Sequence, residues 1–538
     1  MARRSEIDHD RRWRLSYAAS LAVGFSTLYL LTRSTFLTGG TEAWINSARN
    51  GNPSDMHYAE PAHFLQVVLS RLIWVTTDKI GLPVSLESVA FSLSLAGTIA
   101  AIIFFGLIAE QVLRTRAAAW LAALLFGTSH LVWIQSNGEL SGLAHGFVTA
   151  ALFLALRGWV FLPALLWAMA VLAHAAFALV TPAFVLAVWM VRPADATIAN
   201  TARRASTLLL VGGSVTIAVL LWGSFEIGKW HDSASLAQYL MDTSESRDAD
   251  SFEVVRAAKG LLTAFTVGGH YWRDILTGRG SFSNPFFIPA SGLALFVIGI
   301  LGVCIVASLR RFGVAMLGVA WFLPPHVLLN WQFAPTVEKH HAAALPGLVL
   351  LFTAGLIVLT ERMSPRVRFR TCAGVVLACA GLSFFGSILP LQAVGRESDA
   401  AQRAILTLND ERSGNVAFVS CDDTKAVAQP GISYLRLKSI WREPQREMQA
   451  AILSWTRARI DEGVDVYVLL RWCRPDQWST AWSEEPFDLL FLEREFALVP
   501  TLIANVPVLQ GPATDPFAWT TGSVARVVPK ARSMPGAP

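Results

Sequence analysis

Charge is scarce in this chain. Asp, Glu, Lys and Arg make up 15% of its 538 residues, while 53% are hydrophobic. That balance excludes a soluble enzyme, whose surface needs far more charge. Charge is rarest in the middle of the long apolar runs. Ion-coupled transport needs carboxylates or histidines along a path at mid-membrane, so the uncharged runs speak against it but leave lipid movement open. No two histidines stand at the helical i, i+4 spacing of a zinc motif. There is no internal repeat and no low-complexity segment. Cysteine is limited to five residues, of which Cys304, Cys372 and Cys379 lie inside apolar runs as packing groups.

What the chain has instead is a series of uncharged stretches of about 17–25 residues, the length of a membrane-crossing helix. Arginines flank these stretches and report topology rather than nucleic-acid binding, despite the net charge of +5. Residues 1–14 carry Arg3, Arg4, Arg11, Arg12 and Arg14 ahead of the first run, Leu15 to Thr32. That run is too long for a signal peptide and reads as a retained helix with its N-terminus in the cytoplasm. Further runs span Ser88 to Ala109, Ala117 to Ser136 and Leu140 to Leu156.

Residues 158–191 are 34 uncharged positions, about 51 Å as a single helix and too long for a core of roughly 30 Å. Arg157 and Arg192 both call for the cytoplasm, so two short crossings with a turn near His174 are expected. Ala205 to Phe225, Pro285 to Leu309, Gly313 to Asn330, Ala342 to Thr360 and Thr371 to Gly395 complete about eleven crossings. The crossing domain covers residues 15–395, with outer loops at 33–87 and 226–284. Residues 65–80, and the stretch "FEVVRAAKGLLTAF" at 252–265, read as amphipathic helices on the outer surface.

The tail, residues 396–538, has a different pattern. "NVAFVS" and "VDVYVLL" read as strands, with a helix over "REPQREMQAAILSWTRARI" between them. This predicts a small α/β domain outside the membrane. Cys421 and Cys473 each follow one of the two strands, and a disulfide between them is an open expectation in an oxidising compartment.

The remaining polar chemistry gathers on one side. Only His9 maps to the cytoplasmic face. His57, His63, His231, His270, His340 and His341 fall in outer loops, and His130, His145, His174 and His326 in the outer halves of crossings. The loop "TEAWINSARNGNPSDMHYAEPAHF", at 41–64, adds Glu42, Asp55 and Glu60. A lone histidine is more often structural than functional, but structural placement predicts histidines at both faces. The outer interface is therefore the expected working surface.

An acidic outer loop after the first crossing, a many-helix membrane body and an outer α/β domain together resemble the GT-C glycosyltransferases. These enzymes use polyprenyl-phosphate sugars, and they include protein mannosyltransferases and the aminoarabinose and lipopolysaccharide sugar transferases. Four stretches carry the resemblance: "TEAWINSARNG", "AEPAHFLQVVLSRL", "WIQSNGELSGLAHGF" and "EKHHAAALPGLVLLF". Their order and topology matter more than any one of them. The family most often has Asp where this chain has Thr41, so the role of base would pass to Glu42 or Asp55.

The resemblance implies an inverting transfer at the outer face of a bacterial-type cytoplasmic membrane. A base takes the proton from the attacking hydroxyl and a cation steadies the leaving phosphate. The leaving phosphate is already a stable anion, so one carboxylate suffices. Glu42 and then Asp55 are the candidate bases. Lys339, helped by His340 or His341, is the candidate phosphate contact. Glu139, His63 and Glu60 are further substrate-binding candidates. For each, a solvated loop residue, helix-turn group or interfacial anchor is the competing reading. The lipid-linked donor is a substrate, no cofactor is expected, and a divalent metal stays open. The partners are the donor, membrane lipids and a glycan, lipid or protein acceptor, with no nucleic acid. The alternatives are a non-catalytic lipid-binding or assembly protein of the same fold and a lipid transporter or flippase.

Overall fold

In the computed structural model, residues 2–33, 41, 44–45, 48–49, 63–138, 140–192, 195–226, 287–332, 341–389, 392, 408–410, 412, 414–420, 433–436, 445–469, 489–500, 506–509, 519–522 and 524–530 are described. The chain divides into two compact units. One comprises residues 1–33, 44–272 and 285–389, and the other residues 34–43, 273–284 and 390–538.

The first unit is helical. In chain order its helices are α1 (Ala2–Leu31), α2 (Phe64–Lys79), α3 (Leu86–Leu113), α4 (Arg116–Gly127), α5 (His130–Asn137), α6 (Gly142–Ala155), α7 (Phe161–Ala173), α8 (Thr181–Met190), α9 (Ile198–Glu226), α10 (Phe287–Ser308), α11 (Phe312–Gln332), α12 (Leu345–Thr360) and α13 (Pro365–Ser383). Among the described residues, four stretches are long and apolar enough to cross a membrane: Leu86–Leu113, Ile198–Gly223, Gly292–Leu328 and Pro365–Ile388. The bent pair α4–α5 makes a fifth if taken as one span, and shorter apolar helices fill the remainder. Large apolar side chains such as Leu31, Leu210, Phe312, Phe369 and Leu377 are exposed on the outside of this unit. Such a surface suits lipid and not water.

The stretch Gly292–Leu328 holds 37 residues, about 55 Å if straight. It is two arms. The Cβ position of Gly355 on α12 meets the backbone of Cys304 on α10, while Gly347 on α12 meets the backbone of Gly318 and Phe322 on α11. Residues 304 and 322 would lie about 27 Å apart on a straight helix, yet residues 347 and 355 lie about 12 Å apart on α12. The chain must therefore fold back at the 3₁₀ turn Leu309–Arg311. Arg311 stands 3.5 Å from Glu361 at the far end of α12.

The run Ala117 to Ser136 is not the single helix its apolar length predicts. It breaks at Thr128–Ser129 into α4 and α5, bent by 60°. The sequence Gly-Thr-Ser supplies the reason. Gly127 ends α4, and the Ser129 hydroxyl caps α5 by accepting from the Leu131 N–H. The turn near His174 is as expected: α7 stops there, a 3₁₀ segment Ala175–Val180 follows, and α8 begins at Thr181. The basic segments ahead of two of the runs are themselves helical. Arg203 and Arg204 lie within α9, and Arg366, Arg368 and Arg370 within α13.

A close seam joins α3 and α6. Gly142 and Gly146 are one turn apart on α6 and face Gly97 on α3. A Cβ on Gly146 would sit 2.7 Å from the Gly97 carbonyl oxygen. Small residues at i, i+4 let two helix backbones touch where side chains would hold them apart.

The second unit is built on a five-stranded sheet of order β2-β1-β3-β7-β4, with strands β1 (Val416–Ser420), β2 (Ser433–Arg436), β3 (Asp465–Leu469), β4 (Phe496–Pro500) and β7 (Val524–Pro529). Strands β5 (Val506–Leu509) and β6 (Trp519–Gly522) form a separate hairpin pair. The expected strand–helix–strand unit is β1, α14 (Gln445–Asp461) and β3, with β1 and β3 parallel neighbours. Strand β2, which the sequence pattern did not reveal, precedes the helix and pairs on the other side of β1. Alternate residues Ala417, Val419, Val466 and Val468 pack with Ile452 of α14, Phe491, Leu492, Phe496 and Val527. Cys421 and Cys473 lie outside the described residues, as does the helix expected at 252–265.

Candidate functional site

The two ends of the helical unit differ in chemistry. One end is basic. There Arg14 approaches Glu110 at 3.9 Å, and the Arg116 guanidinium lies over the Trp13 ring. The Arg157 Nε donates to Gln111 Oε1 at 3.3 Å, and the Gln111 amide donates to the Leu156 carbonyl. Arg204 donates to the Gly158 carbonyl at 2.6 Å, and Arg368 to the Thr360 carbonyl at 3.0 Å. These contacts tie together the ends of α1, α3, α4, α6, α9, α12 and α13, as clustered positive flanks require if they share one membrane face.

The opposite end is built from the C-terminus of α1 and the N-termini of α2, α3, α5, α6 and α12. The Tyr29 hydroxyl donates to the Gly127 carbonyl at 2.6 Å, and the Trp133 indole N–H donates to Thr32 Oγ1 at 3.0 Å. These bonds fix α1 against the α4–α5 bend. Ser94 on α3 accepts from the Gly142 N–H at 2.8 Å and donates to the Gln135 carbonyl at 3.0 Å. The Ser141 hydroxyl donates to the Gln135 side-chain oxygen. Between α5 and α6, Leu140 adopts a left-handed backbone (φ 52°) while buried. A left-handed branched residue held inside the protein costs of order 1 kcal/mol and persists only because its surroundings fix the turn.

A file of rings runs inward from this end. His63, at the N-terminus of α2, meets His174 edge-on at 4.8 Å between centroids. His174 meets Phe177 at 5.9 Å, and Phe177 meets His145 at 4.8 Å. Phe126, Phe105 and Trp321 continue the file, at 6.0, 4.9 and 5.9 Å between successive rings from His145. His326 and His341 form a second imidazole pair, with their Nδ1 atoms 3.3 Å apart, so one nitrogen donates and the other accepts.

Several buried polar atoms of the helical unit have no hydrogen-bond partner within the protein. They are both ring nitrogens of His145, the Thr98 and Thr353 hydroxyls, the Asn137 side-chain oxygen, the Trp321 indole N–H, the Ser70 hydroxyl and both amide atoms of Gln66. Each such group costs about 1–3 kcal/mol when nothing satisfies it.

Of the candidate catalytic and substrate-binding residues, the structure describes two. His63 packs on His174, and His341 on His326. Glu42, Asp55, Glu60, Glu139, Lys339 and His340 lie outside the described residues. Fixed points exist near the acidic loop. The Arg49 guanidinium pairs with Glu87 at the start of α3, and Arg71 on α2 donates to the Ala48 carbonyl. Sequence reasoning missed Gln66, Ser70 and Asn137. In sequence they look like ordinary polar positions at helix surfaces and ends, and only tertiary packing buries them.

No protein-family model matches the sequence. No curated protein matches it either. Solved structures do. The crystal structure of ArnT from Cupriavidus metallidurans bound to undecaprenyl phosphate superimposes with a TM-score of 0.50 at 12% identity, covering 98% of this chain and 99% of that one. The apo form of the same protein gives a TM-score of 0.48 at 12% identity, covering 95% and 98%. The chain has the GT-C fold, as in the structure with undecaprenyl phosphate.

Proposed function

We propose that this protein is a polytopic membrane glycosyltransferase that moves a sugar from a polyprenyl-phosphate donor to an acceptor at the outer membrane face, with inversion. The end-to-end fold correspondence with an ArnT structure that holds undecaprenyl phosphate carries this reading. The buried polar groups near the histidine-bearing end, at Asn137, His145, Gln66 and Ser70, agree with it. In this reading the basic end faces the cytoplasm, as positive flanks do, and the histidine-bearing end and the α/β unit lie outside.

The chemistry asks little of the protein beyond positioning. The acceptor hydroxyl attacks the anomeric carbon from the side opposite the phosphate. A carboxylate of the first outer loop, Glu42 or else Asp55, takes the hydroxyl proton as the bond forms. The bond from the anomeric carbon to the phosphate oxygen breaks, and Lys339 with His340 or His341 steadies the departing phosphate. One displacement with one base inverts the anomeric centre. His341 is held by His326, which would fix the loop's return into α12. Glu139, Glu60 and His63 would contact the acceptor or the sugar.

The test is turnover of radiolabelled polyprenyl-phosphate sugars by purified protein in nanodiscs, with Glu42→Gln and Asp55→Asn alongside. Loss of transfer or donor hydrolysis in one variant, with donor binding kept, supports the reading and identifies the base. Donor binding without turnover when a range of acceptors is supplied would make the protein a non-catalytic lipid binder of this fold.

A further inference from the structure

At one corner of the basic end, positive charge exceeds what the fold itself neutralises. The 3₁₀ turn Leu309–Arg311 meets the stretch from Glu361 into α13 there. Together these segments hold Arg310, Arg311, Arg362, Arg366, Arg368 and Arg370 against one carboxylate, Glu361. Two of the six are engaged within the fold. Arg311 stands 3.5 Å from Glu361, and Arg368 turns back to the Thr360 and Glu361 carbonyls. Arg310, Arg362, Arg366 and Arg370 are exposed and their side chains make no hydrogen bond or ion pair among the described residues. Helix α13 sorts its side chains accordingly. Arg368, Cys372 and Val375 share one arc, and Val375 is buried. Arg366, Phe369, Arg370 and Leu377 share an arc of about 100° on the opposite side. There Phe369 is 74% exposed and Leu377 71%. A Cβ on Gly374 would meet nothing within 4 Å, so the backbone beside this strip is also uncovered.

We propose that this outer face of α13 seats an anionic phospholipid whose headgroup carries two phosphates. Arg366 and Arg370, joined by Arg362, hold the phosphates, and the acyl chains run along Phe369 and Leu377. The proposal rests on the membrane placement of the helical unit and not on the transferase reading. Guanidinium groups fork onto phosphate oxygens and give up hydration more easily than ammonium groups, and the free cations of this corner are all arginines. Basic clusters at the cytoplasmic ends of membrane helices recruit such headgroups. Three unpartnered guanidiniums carry more charge than one phosphate balances, which favours the two-phosphate lipid. The exposed apolar strip that continues from the arginines matches a lipid and has no use for a soluble polyanion. The local fold gives these arginines no other task. The first turn of α13 holds no acidic residue, and positive charge there opposes the helix dipole. Orientation in the membrane needs positive flanks, but not a pair one turn apart on a lipid-facing strip.

The experiment titrates delipidated full chain in detergent with cardiolipin, phosphatidylglycerol and phosphatidylethanolamine, and reads each bound lipid by native mass spectrometry. Wild type is expected to bind cardiolipin about 10-fold more tightly than phosphatidylglycerol and about 100-fold more tightly than phosphatidylethanolamine. The double variant Arg366→Gln/Arg370→Gln should lose cardiolipin affinity by about 10- to 30-fold. A second double variant, Arg12→Gln/Arg203→Gln, removes the same charge from two other exposed arginines, and it should hold cardiolipin within about 2-fold of wild type. Both should keep the wild-type melting temperature in lipid-free detergent. Four results overturn the proposal. Equal losses in the two double variants would mean diffuse attraction to the whole basic end. Unchanged affinity in Arg366→Gln/Arg370→Gln would place the lipid elsewhere. Phosphatidylglycerol bound as tightly as cardiolipin would remove the need for two phosphates. A lowered melting temperature in Arg366→Gln/Arg370→Gln, with parallel loss of all three lipids, would make these arginines structural.

Discussion

The two ends of the helical unit solve the problem of polar groups in an apolar body in opposite ways. At the basic end, guanidinium groups that could reach only water instead close onto backbone carbonyls and acidic partners. Arg204 on Gly158, Arg368 on Thr360 and Arg14 beside Glu110 are examples. At the other end, donors and acceptors are buried and left open at Gln66, Ser70, Thr98, Asn137 and His145. One end closes charged groups on its own residues, and in the proposed reading the other end is completed by the bound donor. Stability therefore resides more in the basic end and binding in the other, so the two should respond differently to mutation.

The largest effect should come from the acidic loop. Glu42→Gln, or Asp55→Asn if that residue is the base, should lower transfer by about 10²–10⁴-fold with no change in melting behaviour, as read by parallel turnover and thermal-denaturation assays. At the basic end, Arg204→Met should destabilise. It removes a charged hydrogen bond to a carbonyl, worth about 1.5–3 kcal/mol, and a lowered apparent melting temperature in detergent at unchanged donor affinity would show it. The exposed Arg311–Glu361 pair, 47% and 58% exposed, should contribute at most about 1 kcal/mol. The smallest effect, of opposite sign, is expected at Thr98→Val and Thr353→Val. Each removes an unsatisfied hydroxyl, so stability should stay level or rise by about 1 kcal/mol. A clear loss at both sites would mean that these hydroxyls are paired, and the contrast between the ends would disappear.

Much of the architecture could be read from the sequence because the bilayer imposes it. Apolar run length set most helix positions, and Arg157 with Arg192 forced a turn that the structure places at His174. Alternation in "NVAFVS" and "VDVYVLL" gave the two central parallel strands. What escaped was non-local. The break at Thr128–Ser129 sits within a run whose hydropathy is continuous, and only the capping residues hint at it. Strand β2 is four residues long, too short for alternation to stand out. Gln66 and Ser70 have the spacing of a solvated helix face. Their burial depends on which way α2 rolls against α3 and α7, and neighbouring residues do not encode that. The imidazole pairs escaped for a similar reason. His63 and His174 are far apart in sequence, and His326 and His341, 15 residues apart, lie on separate segments, so each pair meets only through the fold.

The central claim is that the lipid-linked donor occupies the end bearing the histidines and open polar groups. Photo-crosslinking tests it most directly, using undecaprenyl phosphate with a diazirine on the first isoprene unit and peptide mapping of the labelled wild-type protein. The account predicts labels on α2, the first half of α6 and the start of α12, competed away by unlabelled lipid. Labels confined to the ends joined by Arg14, Arg204 and Arg311, or spread evenly over the exposed apolar surface, would contradict it.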